Sequence, residues 1–379
     1  MLEAKFVSSI ADIANTEWNR VCEMEFPFIH HEFLSALEQS GAASPVNGWT
    51  PHHLVIYDGS QLIAVMPGYL KDHSYGEFVF DFQWAEAYQR SGLHYYPKYI
   101  SAIPFSPVSG PRLCIKPGYA AAEVATTALQ AIKNFVSDRK LSSWHLLFPE
   151  QAQSDLFAAP DLLARRAVHF QWFNQNYRSF DNFLDDLNSR KRKNLRKERQ
   201  KVAEQGILLQ RIEGRDITEE LWERFYYFYQ MTYLKRSGHS GYLDKTFFRL
   251  LGGNLPDNLL MVVARKNSEI IAGALNLKDS STLYGRYWGC DQEYDFLHFE
   301  TCYYQGIEYC IEKKLQRFDP GAQGEHKIQR GFRPVYTYSS HWIADTRFRA
   351  AITQFLQHEE KSTENYKADA ERYLPFRHD

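Results

Sequence analysis

The chain has 379 residues, more than one typical hydrophobic core absorbs, so two domains are expected. Hydrophobic residues make up 44% and charged residues 24%, close to the globular average, which excludes a disordered chain. A formal net charge of -2 excludes a global attraction to nucleic acid or an anionic membrane, so an anionic partner must be held by a local patch.

The N-terminus carries Glu3 and Asp12 without a basic, apolar and small-residue succession, and no stretch approaches about 18 uninterrupted apolar residues. No membrane span is expected. Cys22, Cys114, Cys290, Cys302 and Cys310 are odd in number and lack metal-site spacing, which favours a reducing, cytoplasmic setting and no metal. A helical pattern containing Trp18 and Arg20 precedes LVIYDGSQLIAVMPGYL (Leu54 to Leu70), which predicts a β-hairpin with its turn at Asp58-Gly59. The following segment, KDHSYGEFVFDFQWAEAY, concentrates Lys71, His73, Tyr75, Asp81 and Trp84. These residues are candidates for an acceptor site, the alternative being separate surface loops. Ala120 to Asp138 reads as a helix leading to the strand WHLLF, and a domain boundary falls near Pro160 to His169. The expected domains are residues 1–165 and 166–379.

A basic helix over 189–205 opens the second half, with eight Lys or Arg between 190 and 201 and one acidic residue, Glu198. Arg192, Arg196 and Arg199 fall along one side, suited to phosphate or RNA, or else to a solvated face answering Asp181, Asp185 and Asp186. A further helical pattern with Trp222 and Arg224 leads to VVARKNSEIIAGALNLK (Val262 to Lys278). This is the first hairpin's design again, displaced by 208 positions without a gap, with its turn expected at Lys266-Asn267. The order helix, helix, hairpin, then further strand and helix thus occurs twice, which calls for α/β sheets with helices on their faces.

Alternation over Thr282 to Gly289 places Tyr284, Arg286 and Trp288 on one strand face, a possible binding wall in which Arg286 grips a carboxylate or phosphate. The alternative is an ordinary polar sheet face. His298 and Glu300 open a long helix whose Phe299, Tyr303, Ile307 and Ile311 face the core. Glu300 is either a general base for amine acylation or a complement to the helix dipole. The segment DPGAQGEHKIQRGF forms a loop that gathers Glu325, His326 and Lys327. Lys327 suits an anionic or developing negative oxygen, and His326 a base, a donor or a surface imidazole.

Three blocks resemble the FemAB-like branch of the GNAT acetyltransferase superfamily: SRKRKNLRKERQKVAEQGI, the long run TLYGRYWGCDQEYDFLHFETCYYQGIEYCIEKKLQRFDPGAQGEHKIQRGF, and PGYLKDHSYGEFVFDFQWAEAY with AIPFSPVSGPRL. The resemblance implies two tandem GNAT-like domains with mixed, mostly antiparallel sheets flanked by helices. It also implies an acyl or aminoacyl transferase that moves its group onto an amine of a small molecule or cell-wall precursor. In characterised relatives the donor is aminoacyl-tRNA and the acceptor a peptidoglycan precursor. An acyl-CoA is the other candidate donor, but the Arg/Gln-x-x-Gly-x-Gly/Ala loop with which ordinary acetyltransferases cradle the pyrophosphate of coenzyme A is absent. The alternative function is a non-catalytic protein that recognises a cell-wall fragment or RNA.

Overall fold

The computed structural model describes residues 2–23, 25–322 and 324–377. They form two compact units. The first takes the chain up to Val168 and then Tyr336–Asn365; the second takes His169–Val335 and the residues from Tyr366 onward. The expected division cuts the chain once, at 165/166. The structure instead has one strand there, Leu162–Phe173, and gives residues 336–365 to the first unit.

In the first unit, Leu2–Val7, His53–Asp58, Gln61–Met66 and Cys114–Ile115 form an antiparallel sheet. Helix Ala121–Asp138 buries Val124, Ala128 and Ile132 in the same cluster as Leu54, Ile56 and Met66. In another set of strands, Trp49–Pro51, Tyr69–Lys71, Lys98–Ser101 and Ser143–Leu147 pair in that order, and Ser339 to Ile343 pairs with the last. Lys98–Ser101 and Ser143–Leu147 are parallel, so the chain must cross over between them, and helix Ala121–Asp138 lies on that crossover.

In the second unit, strands Ile207–Glu213, Leu259–Lys266, Glu269–Lys278 and Thr282–Cys290 form an antiparallel meander. Thr282–Cys290 then pairs in parallel with Arg317–Asp319, the crossover being the helical stretch from Leu297 to Lys313. Leu260 and Leu283 share a core with Tyr303, Tyr304 and Ile307 of that stretch. The other face carries helix Glu219–Ser237, where Tyr229 meets Tyr287 edge to face. A Cβ at Gly289 would lie 2.2 Å from the Phe228 carbonyl oxygen, so only glycine lets this helix seat on the strand.

The two hairpins correspond in detail. Both turns lie one residue beyond the expected pair, at Gly59-Ser60 and at Asn267-Ser268, the latter with φ of 51° and 69°. Each hairpin then carries a β-bulge at the same register: Ile56 faces Ala64 and Tyr57 faces Leu62, while Ala264 faces Ala272 and Arg265 faces Ile270. The extra residues, Ile63 and Ile271, are again 208 positions apart and both are buried.

Candidate functional site

The second unit brings together residues from the strand Thr282–Cys290, the long helix and the Gly-rich loop. The helix does not run as a plain α-helix: after Leu297–Phe299 it forms a π-helical turn over Glu300–Tyr304 and then continues as Gln305–Lys313. Such turns widen the helix and re-aim its side chains. The loop is turned by Gly321, Gly324 and Gly331, all at positive φ, and residues Glu325–Arg330 between the last two form a 3-10 helix.

His326 projects from that short helix, exposed, and its Nε2 lies 2.8 Å from the Tyr303 hydroxyl. The His298 ring is 5.9 Å from the His326 ring, 5.3 Å from Tyr303 and 5.4 Å from Trp288. Burial above all lowers His298 to about 3 and His326 to about 4, helped at His298 by the neighbouring His326 ring and at His326 by Lys327, so both imidazoles are neutral at pH 7. Lys327 is buried, donates to the Gly321 carbonyl at 2.7 Å, and is lowered by burial to about 8 against the opposing pull of Asp319. At neutral pH it remains mostly an ammonium. Arg330 lies over the Phe299 ring and donates to the His326 carbonyl at 2.7 Å, its charge met by Glu198.

Several expected residues have other partners. Strand Thr282–Cys290 carries a bulge at Arg286, with Leu275 opposite Tyr287 and Asn276 opposite Gly285. The bulge shifts the side-chain phase, so Trp288 falls on the face of Gly285 and Leu283 while Tyr284 falls with Tyr287. The expected wall of Tyr284, Arg286 and Trp288 therefore does not form. Tyr284 donates to Asp279 at 2.7 Å, and the carboxylate that Arg286 grips is the chain's own Asp319, at 3.1 and 3.3 Å. Glu300 is buried and accepts two bonds from Arg199, both 3.0 Å, and one of 2.7 Å from Gln305. Its lone pairs are committed to a structural ion pair rather than to a substrate proton. Glu325 accepts from the Tyr366 hydroxyl at 2.9 Å.

The basic helix spans Ser189–Glu204; Asn188 caps it by accepting from the Lys191 amide, and Gly206 at φ 73° follows its end. Arg199 points inward to Glu300 and Glu308, while Arg192 and Arg196 pair with Asp185 and Asp181. Asp186 instead accepts from Tyr177. A shallow groove of about 570 Å³ nevertheless lies along this helix, lined by Arg192, Lys193, Arg196, Lys197 and Lys201. Arg192 and Arg196 thus stay on the outward face beside exposed carboxylates, and of the three expected arginines Arg199 alone turns inward.

In the first unit, Lys98 is fully buried and donates to Ser74 at 2.8 Å, Glu77 at 2.8 Å and Asp81 at 2.5 Å. One ammonium balances one carboxylate. Asp81 is accordingly held at about 2, where burial is outweighed by Lys98 and His145, whereas burial lifts Glu77 to about 7. Tyr95 donates to Asp81 at 2.6 Å and lies 3.1 Å from His145, whose Nδ1 is 2.5 Å from that of His341. Lys71 is buried with its ammonium 4.1 Å over Trp49 and near His73 and the Tyr75 carbonyl; burial lowers it to about 7. The Tyr75 ring is exposed and Trp84 is buried against His341. Lys71, His73, Tyr75 and Asp81 thus belong to one loop region. Glu77, Lys98, Tyr95, His145 and His341 were missed, although a lysine inside YYPKYIS is a visible charge in an aromatic run.

A bulged antiparallel hairpin followed by a helix-crossed parallel strand pair, present once in each unit, defines a tandem GNAT-like protein. The chain belongs to the FemAB-like family, described as peptidoglycan biosynthesis/recognition, whose model matches residues 9–378. Among solved structures it is similar to the C-terminal domain of a putative lysylphosphatidylglycerol synthetase from Agrobacterium fabrum, at 10% identity and a TM-score of 0.56, over 92% of this chain and 96% of that one. It is similar to FemX at 11% identity and a TM-score of 0.53, over 90% and 98% of the two chains. L-PGS from Bacillus licheniformis matches at 9% identity and a TM-score of 0.50, over 86% and 96%. No curated protein matches the sequence. Among the described residues no helix is long and apolar enough to cross a membrane, and no group of three or more His, Cys, Asp or Glu could hold a metal ion.

Proposed function

We propose that the protein is an aminoacyl or acyl transferase that acylates an amine of a peptidoglycan-related acceptor, and that the chemistry occurs at His326. The observation that carries this reading is the exposed, neutral His326 imidazole, fixed through Nε2 by Tyr303 and adjoining the Lys327 ammonium. A neutral imidazole can take a proton, and an ammonium can stabilise an oxyanion. The acceptor amine attacks the acyl carbon of the donor ester or thioester while His326 removes its proton. The tetrahedral oxyanion is stabilised by the charge of Lys327. Collapse breaks the bond to the leaving oxygen or sulfur, which takes up the proton from His326.

The family description and the name of the lysylphosphatidylglycerol synthetase among the structural neighbours both support transfer chemistry of this class. The groove lined by Arg192, Lys193, Arg196, Lys197 and Lys201 supports a polyanionic donor, aminoacyl-tRNA, over an acyl-CoA, because successive helical turns offer cations along a phosphate backbone. The test is turnover of aminoacyl-tRNA with a muramyl-peptide precursor. His326→Ala should lower kcat about 10²-fold or more, the range of a lost acid-base group, with binding of the donor retained. Full activity in His326→Ala would remove the assignment.

A further inference from the structure

Helix Glu219–Ser237 carries Tyr226, Tyr229 and Tyr233 along one side, their rings following one another at 6.5 and 4.8 Å. Tyr229 is buried against Tyr287, whereas Tyr233 is half-buried and meets two rings of the loop that follows the helix. The Tyr233, His239 and Tyr242 ring centroids lie 5.5, 5.8 and 5.2 Å apart, with His239 exposed and Tyr242 half-buried. The loop is strapped over Tyr229. The Tyr229 hydroxyl accepts from the Tyr242 and Leu243 amides at 3.1 and 3.2 Å, and at Gly241, with φ of 93°, a Cβ would lie 2.6 Å from the Tyr229 ring. His239 Nδ1 accepts from the Gly241 amide at 3.1 Å, so Nε2 carries a hydrogen and is a donor. Arg236 stands three residues after Tyr233, on the same side of the helix, and both it and Lys235 are exposed with no carboxylate partner among the described residues. Accessible aromatic rings beside unpaired cations are the combination that holds a nucleotide, whose base stacks on the rings while its phosphate meets the charge.

We propose that Tyr233, His239 and Tyr242 form a stacking platform for a nucleobase, with Arg236 and Lys235 beside it for the attached phosphate. The inference deepens the transferase reading and rests on it in taking the nucleotide to be part of the donor. Both candidate donors carry adenosine, tRNA at its acceptor end and an acyl-CoA in its nucleotide. Clustered rings also attract ammonium groups, but Arg236 and Lys235 would repel one. The place of the platform in the fold defines its part in the reaction. Tyr287 meets Tyr229 on one face of strand Thr282–Cys290, and the next residue, Trp288, lies against His298 on the other. The nucleotide is thus held across the strand from the His298–His326 cluster, where it anchors the donor and takes no part in proton transfer.

The experiment titrates cytidylyl-adenosine, adenosine 3′,5′-bisphosphate and, as a control without a base, ribose 5-phosphate into the full-length protein, and follows the base protons and the His239 imidazole by NMR. Saturable upfield shifts of the base protons are expected with the two nucleotides, and no saturable binding of ribose 5-phosphate. Tyr242→Ala and His239→Ala should each weaken binding about tenfold, the range of one lost stacking contact, while Tyr242→Phe keeps the ring and the affinity. Because His239 is exposed, His239→Ala decides the matter if Tyr242→Ala fails to fold. Arg236→Gln should weaken binding and lower its salt dependence. A tighter dinucleotide identifies tRNA as the source and a tighter bisphosphate coenzyme A. No saturable shift with either nucleotide, equal binding of ribose 5-phosphate, or wild-type affinity in both ring variants would overturn the proposal. So would loss of binding in Lys193→Gln/Lys197→Gln with Tyr242→Ala unaffected, which puts the nucleotide in the groove of the basic helix. No turnover is measured, so the two readings fail separately: nucleotide binding in a chain whose His326→Ala variant is fully active removes the catalytic assignment and leaves the platform standing.

Discussion

At the scale of single residues, Lys98 is a fully buried anchor outside the candidate site. Its ammonium holds Ser74, Glu77 and Asp81, so it fastens an irregular stretch that includes Gly76 and Phe78 at positive φ. Lys98→Met keeps the volume but leaves Asp81 as a buried, uncompensated charge. Breaking a buried pair from one side costs about 3–5 kcal/mol, and a fall of that size in unfolding free energy by urea titration is the expected result. The double change Lys98→Met/Asp81→Asn should recover part of it. Buried histidines set the acid response. Burial lowers His145 to about 3, His169 to about 4 and His298 to about 3, while an unfolded histidine titrates near 6.5. Through these histidines the unfolded chain binds more protons below about pH 6.5, so their contribution to stability is full above that value and falls as pH drops toward 3 to 4, outweighing the single opposing carboxyl of Glu77. Asp81, held at about 2, adds a further loss below about pH 4. Denaturation midpoints measured between pH 8 and 4 should decline from about 6.5 downward, and a flat profile to pH 5 would contradict this.

Among the elements, the basic helix has two functions divided by face. Its inward Arg199 neutralises the buried Glu300 on the π-helical turn, and its outward lysines line the groove. The two faces should separate experimentally. Arg199→Met is expected to destabilise the fold by about 3 kcal/mol, because it strands a buried carboxylate. Lys193→Gln/Lys197→Gln/Lys201→Gln should leave stability within about 0.5 kcal/mol and should reduce the slope of log affinity for tRNA against log salt by roughly two to three. An unchanged salt slope in the triple variant would exclude the groove as the RNA surface. Much at this scale was legible beforehand. The helix-forming composition marked the basic helix in the sequence, and the repeated design marked both hairpins. What was not legible was the bulge at Arg286: an inserted residue leaves no periodic trace in a nine-residue strand, yet it reverses which side chains share a face.

For the whole molecule, the units are not two consecutive stretches of chain. The strand Ser143–Leu147 of the first unit takes Ser339 to Ile343 as its partner, and Ile343, Ile352 and Leu356 complete a cluster with Trp84, Tyr88 and Tyr95. A chain ending at residue 165 would expose that edge and that cluster. It is expected to lack cooperative unfolding and to bind a hydrophobic dye, whereas joining residues 336–365 to it through a flexible linker should restore a sharp transition. A cooperative transition in the 1–165 chain alone would show that the returning segment is dispensable.

The sequence by itself determined the repeated hairpin architecture and the family, because periodicity, turn residues and local motifs are properties of neighbouring positions. It also pointed to His326 and Lys327, since glycines and a proline around a polar run announce a turn that exposes side chains. Only the tertiary structure decided that Glu300 and Arg286 are held by Arg199 and Asp319, that Arg199 turns inward while its helix neighbours face outward, and that Lys98 anchors the first unit's polar core. The physical reason is that an ion pair depends on which side chains meet in space, and partners such as Arg199 and Glu300, 101 positions apart, carry no mark of one another in the sequence.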